Sequence, residues 1–367
     1  MKVASLSYNL NLKYRSPEEW LDRTGFYAGV LQRLAQHCEV IDIHFINFEG
    51  VRVIGNVTHH FLKPLYRPFP VRFHRYLKQL RPDIVVVHGL TVPWQVILLR
   101  WQLGKNTRIL IQNHNEKPGR FPRSMLQKMA DRYVEAYLFT SAEQAAPWLR
   151  QRIIAHRDKV KQLFEGSSAF RAADRNATRD RLGIASGAVY LWVGRLIAVK
   201  DPLTVVKAFL RFLNQGHQAT LCMIFQTTDL LEDIKALLKA HGDAASSIHL
   251  VGEVDHHDLG HWYNSADFFL LGSHDEGTNI SLCEAMSCGC VPIVPNIPAF
   301  RAMTDNGEYG LLFPAGDEER LFHKLVESSR LDLPSARQKV LNQFRNKLSF
   351  DAIARKLITI LSGKEKD

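Results

Sequence analysis

Cysteine is scarce in this 367-residue sequence: five residues, Cys38, Cys222, Cys283, Cys288 and Cys290, form no Cys-x-x-Cys pair and no zinc-like spacing. A disulfide framework and a zinc site are therefore not expected, and the thiols read as reduced packing residues. No Asp-x-Asp occurs anywhere, so the usual carboxylate clamp for a Mg²⁺ or Mn²⁺ nucleotide complex is missing. No apolar run reaches the roughly 18 residues of a membrane span. Met1-Lys2 leads directly into the strand-like Val3–Tyr8 with no signal-peptide core, which predicts a cytoplasmic protein. No Gly-x-Gly-x-x-Gly follows that opening strand, which argues against a dinucleotide-dependent dehydrogenase. Nucleic-acid recognition motifs are also absent despite a pI near 9.4, so nucleic acid is not an expected partner.

What is present describes a soluble globular chain with 46% apolar and 23% charged residues, long enough for two domains. Charge is uneven: residues 1–165 hold 25 Lys and Arg against 13 Asp and Glu, and the remainder 22 against 24. The first half should meet an acidic partner. Short β-branched runs alternate with amphipathic segments throughout, the pattern of parallel strands joined by crossover helices. Strands are predicted at 3–8, 40–45, 84–88, 108–112, 137–140 and 161–164, then at 189–193, 220–225, 248–251, 268–271 and 291–294. The fold class is thus α/β, with two doubly wound Rossmann-like domains facing across a cleft. Periodicity lapses over 166–187, which marks the hinge between a domain at 1–165 and one at 188–345. In such sheets ligands bind beyond the C-terminal strand ends.

One stretch with that placement is SHDEGTNISLCEAMSCGCVPIVP, residues 273–295. Asn279 is positioned to cap a helix, leaving the N–H groups near Ile280 and Ser281 as donors for an anion. Gly277 allows close approach to the backbone, and Glu284 could turn back toward the same ligand and accept from a vicinal diol. A capped helix with a solvated Glu fits the spacing equally well. A second stretch, VGRLIAVKD at 193–201, puts Arg195 and Lys200 after another strand on the same rim. Taken alone, two such cations are more often solvated surface. Together with the helix N-terminus, they outline a nucleoside diphosphate.

These two stretches, with DNGEYGLLFPAGD at 305–317, resemble the donor-binding half of a retaining GT-B glycosyltransferase of family 4 over about 188–330. The first half resembles it more loosely, through Gly25–Ala35, VVVHGL (85–90), QNHNEKPG (112–119), TSAEQ (140–144) and FEGSSAF (164–170). The resemblance implies an acceptor-binding first domain, a nucleotide-sugar-binding second domain, and a final helix (346–367) packing back toward the first. It implies that Arg195 and Lys200 hold the donor diphosphate, that Glu284 binds the ribose hydroxyls, and that Glu276 faces the donor sugar. Backbone donors of Gly277, Thr278, Asn279, Ile280, Ser281 and Leu282 would serve the distal phosphate. Gly25 would let its loop close over the phosphate, and His114 would point at the sugar. Two departures stand out: Phe26 replaces a second loop glycine, and a glutamate near Ala302 is missing.

The expected activity is metal-independent transfer of a hexose, with no cofactor, to an unidentified acceptor of anionic or lipid-linked type. A sugar-nucleotide epimerase or hydrolase of the same architecture, or an inactive nucleotide-sugar-binding homologue, are the alternatives. The run 66–83 interleaves Arg67, Arg72, Arg75, Lys78 and Arg81 with aromatic residues, a form suited to the anionic inner face of a membrane or to an ordinary surface helix. His256, His257 and His261 have metal-like spacing but read as a capped turn before a helix. His59-His60 is a weaker signal still, and His88, ending an apolar strand, could line the cleft, though a satisfied core histidine is the more usual outcome.

Overall fold

The computed structural model describes residues 1–63, 70–184 and 187–364. The chain divides into a first domain, Met1–Ser167 with Phe350–Asp367, and a second, Ser168–Ser349.

The first domain is built on eight strands: β1 (Lys2–Asn11), β2 (Glu39–Ile46), β3 (Gly50–Ile54), β4 (Val57–Leu62), β5 (Ile84–His88), β6 (Arg108–Gln112), β7 (Ala136–Phe139) and β8 (Val160–Gln162). Their order is β3-β4-β2-β1-β5-β6-β7-β8, parallel except for the antiparallel β3/β4 hairpin. Central strands such as Ile-Val-Val-Val-His are apolar on both sides because helices cover both faces of a parallel sheet. The hairpin is not among the strands expected from the sequence. Its Gly55-Asn56 turn is a two-residue hairpin signal, but β3 is exposed along its length and carries no burial alternation.

The second domain has six parallel strands: β9 (Ala188–Gly194), β10 (Ala219–Phe225), β11 (Ile248–Gly252), β12 (Phe268–Leu270), β13 (Val291–Pro295) and β14 (Leu311–Phe313). They run in the order β11-β10-β9-β12-β13-β14. Tyr190 stacks on Phe268 with centroids 4.8 Å apart, and Phe209 meets the Tyr190 ring edge-on at 5.2 Å, tying helix Pro202–Asn214 to the sheet.

Residues 166–187, the expected hinge, carry a helix of the second domain, Arg175–Leu182, capped by Asp174 and ended by left-handed Gly183. Arg175 and Arg179 both pair with the buried Asp267, which also accepts from Val189 N–H. A helix held to its sheet by charge shows no apolar stripe in the sequence. Residues 185–186 lie outside the described part. The last helix, Phe350–Leu361, packs on helix Gly25–Leu34 of the first domain, where a Cβ on Gly29 would lie 2.6 Å from the Phe350 ring.

Candidate functional site

In each sheet the strand order reverses at one point, between β1 and β5 and between β9 and β12, and a crevice at the C-terminal ends there is where such sheets bind ligands. β9 and β12 pair only through Tyr190–Phe268 and Leu191–Phe269, then separate. The two loops beyond them carry Arg195 and Lys200 on one side and Ser273 to Asn279 on the other.

Those loops are joined to each other. His274 N–H donates to Val199 O at 2.9 Å, and its ring meets Asp201 at 3.0 Å. Gly272 admits the close approach: a Cβ there would lie 2.4 Å from Asp201 O. The result brings Lys200 Nζ onto Glu276 Oε1 at 2.5 Å, and Asn279 Nδ2 donates to the same oxygen at 3.0 Å. Two residues expected to serve the phosphate and the sugar are thus partners. Arg195 is exposed. Ser273 Oγ, fully buried at the same rim, has no hydrogen-bond partner among them.

Asn279 caps helix Ile280–Ser287 as expected, its Oδ1 accepting from Leu282 N–H at 2.8 Å. That bond corrects one expectation. Leu282 N–H is consumed by the cap and its side chain is buried in the core, so the helix end offers Ile280 and Ser281, not Leu282. Thr278 and Asn279 are buried; Gly277 is half-buried.

Glu284 is only 5% exposed. Its Oε2 accepts from the buried Tyr263 hydroxyl at 2.8 Å, and its Oε1 meets His256 Nε2 at 2.8 Å. Burial, with the Glu284 charge beside it, pushes the Tyr263 phenol far up and keeps it a donor. His256 stands in a turn capped by Asp255, as the sequence suggests, but its link to Glu284 has no counterpart among the sequence expectations. A contact across 28 positions leaves no local spacing to detect.

In the first domain, His114 follows β6 and its Nδ1 is bound to the Glu165 carboxylate. Its Nε2 lies 3.0 Å from His88 Nδ1, and His88 Nε2 reaches Tyr27 at 2.9 Å and Ser5 at 3.3 Å. Ser5 then donates to Asp42 at 2.8 Å. His88, for which the sequence left both a cleft-lining and a core reading open, is a link in this network across the strand-order reversal. Burial and the neighbouring His114 push its pKa down to about 3. For His114, burial opposes the charged ring, but the bond and charge of Glu165 outweigh it and the pKa is raised.

Asp42, His44 and His59 form the one metal-ligand-like cluster among the described residues. Trp20 Nε1 donates to His44 Nδ1 at 2.8 Å, which leaves the His44 proton on Nε2, facing Asp42 at 3.0 Å. A metal needs that nitrogen bare, so the cluster is a hydrogen-bonded one. Burial raises the Asp42 pKa, but the two imidazoles outweigh it and hold the carboxyl far below its ordinary range.

Gly25 opens helix Gly25–Leu34, and a Cβ added to it would find no atom within 4 Å; Phe26 beside it is exposed. Ala302 lies within helix Pro298–Thr304. In the run 66–83, Tyr66 to Phe69 fall outside the described residues. From Val71 on, the apolar stripe is spent internally: Leu77 is buried, Phe73 packs edge-on against Phe45 at 5.1 Å, and Tyr76 is bonded to His60. No described helix is long and apolar enough to cross a membrane.

Residues 187–329 match the family described as glycosyl transferases group 1. A D-inositol 3-phosphate glycosyltransferase of Frankia alni is 26% identical over 226 residues, 59% of this chain and 54% of that protein. An alpha-monoglucosyldiacylglycerol synthase of Acholeplasma laidlawii is 26% identical over 152 residues, 41% of this chain and 38% of that one. The chain thus aligns with about half, or less, of the length of these relatives. Among solved structures, Anabaena HepE in complex with UDP and glucose superposes with a TM-score of 0.67 at 12% identity, covering 99% of this chain and 100% of that one. Residues 187–329 are thus similar to glycosyl transferases group 1, and the chain's two Rossmann-like domains have the fold of solved GT-B glycosyltransferases.

Proposed function

We propose that this chain is a retaining, metal-independent glycosyltransferase of family 4 that moves a hexose from a nucleoside-diphosphate sugar to an anionic or lipid-linked acceptor. The observation that carries the reading is the β9/β12 strand reversal, where Arg195, Lys200, Glu276 and the Ile280–Ser287 helix end share one rim. The solved neighbour described with UDP and glucose, and relatives named for an inositol phosphate and a diacylglycerol, support the donor and acceptor classes.

In the reaction the bond between the anomeric carbon and the donor phosphate oxygen breaks, and its electron pair stays on the phosphate. The acceptor hydroxyl attacks from the same face, and its proton passes to that phosphate oxygen. Charge develops on the diphosphate, so fixed cations and N–H dipoles there supply most of the rate gain. Arg195 and Lys200, with the Ile280 and Ser281 amides, fill that role; Lys200 exchanges Glu276 for phosphate, which frees Glu276 for the sugar. His114 serves the donor sugar, and Glu284 the ribose diol.

The acceptor side rests on the first domain. Helices Val71–Leu80, Pro93–Leu103 and Arg123–Asp131 pack side by side. Trp101 (68%), Met125, Arg72, Lys78 and Arg123 on these helices are exposed, as is Phe121 (80%) just before the last of them. Apolar wedges amid cations suit an anionic membrane surface carrying the acceptor.

Arg195→Ala and Lys200→Ala should each lower donor turnover about 100-fold or more, the scale of losing one transition-state donor, with circular dichroism unchanged. Full turnover in the double variant would refute the assignment. EDTA should leave activity intact; restoration by added Mg²⁺ after EDTA loss would refute metal independence.

A further inference from the structure

We propose that His256 is a gate on the nucleoside subsite, setting donor affinity by occupying on Glu284 the position that the ribose hydroxyls must take. The proposal rests on Glu284 being the diol acceptor.

The two oxygens of Glu284 face different surroundings. Oε2 is held by Tyr263, which has no exposed surface, so that side is closed. Oε1 is held by His256, whose side chain is 65% exposed, so the imidazole is the partner standing between this carboxylate and solvent. A vicinal diol presents two O–H donors to such a carboxylate, and His256 Nε2 presents one N–H to the same oxygen. The two compete for one acceptor.

The geometry lets the ring leave without unfolding anything. His256 opens a three-residue turn whose backbone is fixed independently, by Asp255 accepting from His257 N–H at 2.9 Å and from Asp258 N–H at 3.0 Å. Its ring lies against Phe170 at 5.3 Å, and Phe170 lies in turn against Tyr263 at 5.9 Å. Rotation about the His256 side-chain bonds uncovers Oε1 while Phe170 and Tyr263 keep its back closed. A donor that binds only the uncovered form has its apparent affinity reduced by the fraction uncovered.

The test is calorimetric titration of the full chain with UDP, GDP and ADP, then with the 2′,3′-dideoxy form of the tightest binder. His256→Ala should bind the ribonucleotide about 10-fold tighter, the scale of one hydrogen bond to a charged group, and bind the dideoxy form as the unchanged protein does. His256→Gln, which restores a donor to Glu284, should return affinity toward the starting value. If the unchanged protein prefers ribonucleotide over dideoxynucleotide but His256→Ala binds no tighter, the gate alone is overturned. If the unchanged protein does not discriminate the two, or binds no nucleotide, the reading of Glu284 fails and the gate falls with it.

Discussion

His114 illustrates how single residues in this chain draw their properties from distant partners. Its imidazole is bonded to Glu165 on one nitrogen and to His88 on the other. Because the carboxylate raises the pKa against the cost of burial, the stabilising effect of this pair is fully present below pH ~6.5, the ordinary value for histidine. It is lost as pH rises through the raised value. Glu165→Gln should therefore lower the urea midpoint of the first domain more at pH 6 than at pH 9; an equal deficit at both would contradict the assignment. His88 has the opposite sign. Its pKa is depressed to about 3, so its contribution fades as pH falls from ~6.5 toward that value. None of this is legible in the sequence, since Ser5, Tyr27, Asp42, His88, His114 and Glu165 come from separate parts of the chain. Arg195, Lys200, Glu276 and Asn279 are legible because each lies just beyond a strand whose apolar run marks its own end.

At the scale of elements, the helix Arg175–Leu182 places two arginines on one carboxylate. Asp267 is 2% exposed and binds Arg175, Arg179 and the Val189 amide, so its removal leaves two guanidinium groups without their carboxylate at the start of β9. Asp267→Ala should cost the second domain about 3–5 kcal/mol, the usual penalty for breaking a buried ion pair from one side, read from its urea transition. Gly272→Ala presents a different failure. Its Cβ would collide with Asp201 O, so the loop bearing Lys200 must move away from the loop bearing Glu276. Nucleotide binding should fall at least as far as in Lys200→Ala, and unaltered binding would show that the contact is not what positions the lysine. The central strands are readable from their β-branched runs, whereas exposed β3 is not, because it has no buried face.

For the molecule as a whole, the informative feature is the path of the chain. It passes from the first domain to the second at Ser167–Ser168 and returns at Ser349–Phe350. Ile353, Leu357 and Ile360 of the returning helix are buried, Arg33 pairs with Asp351, and Arg108 donates to Leu361 O. Leu357→Ala should lower the first domain's stability by about 2–5 kcal/mol, as for other buried leucine truncations, and leave the second domain's transition in place. A loss confined to the second domain would contradict the division.

The same path bears on biosynthesis and on cleavage. As the ribosome works through residues 168–349, the surface around Gly29 waits uncovered for a helix that has yet to be translated, while the second domain emerges as one uninterrupted piece. In the finished protein a protease that nicks either crossing still leaves a covalent bridge at the other, so two cuts are needed before the halves can part.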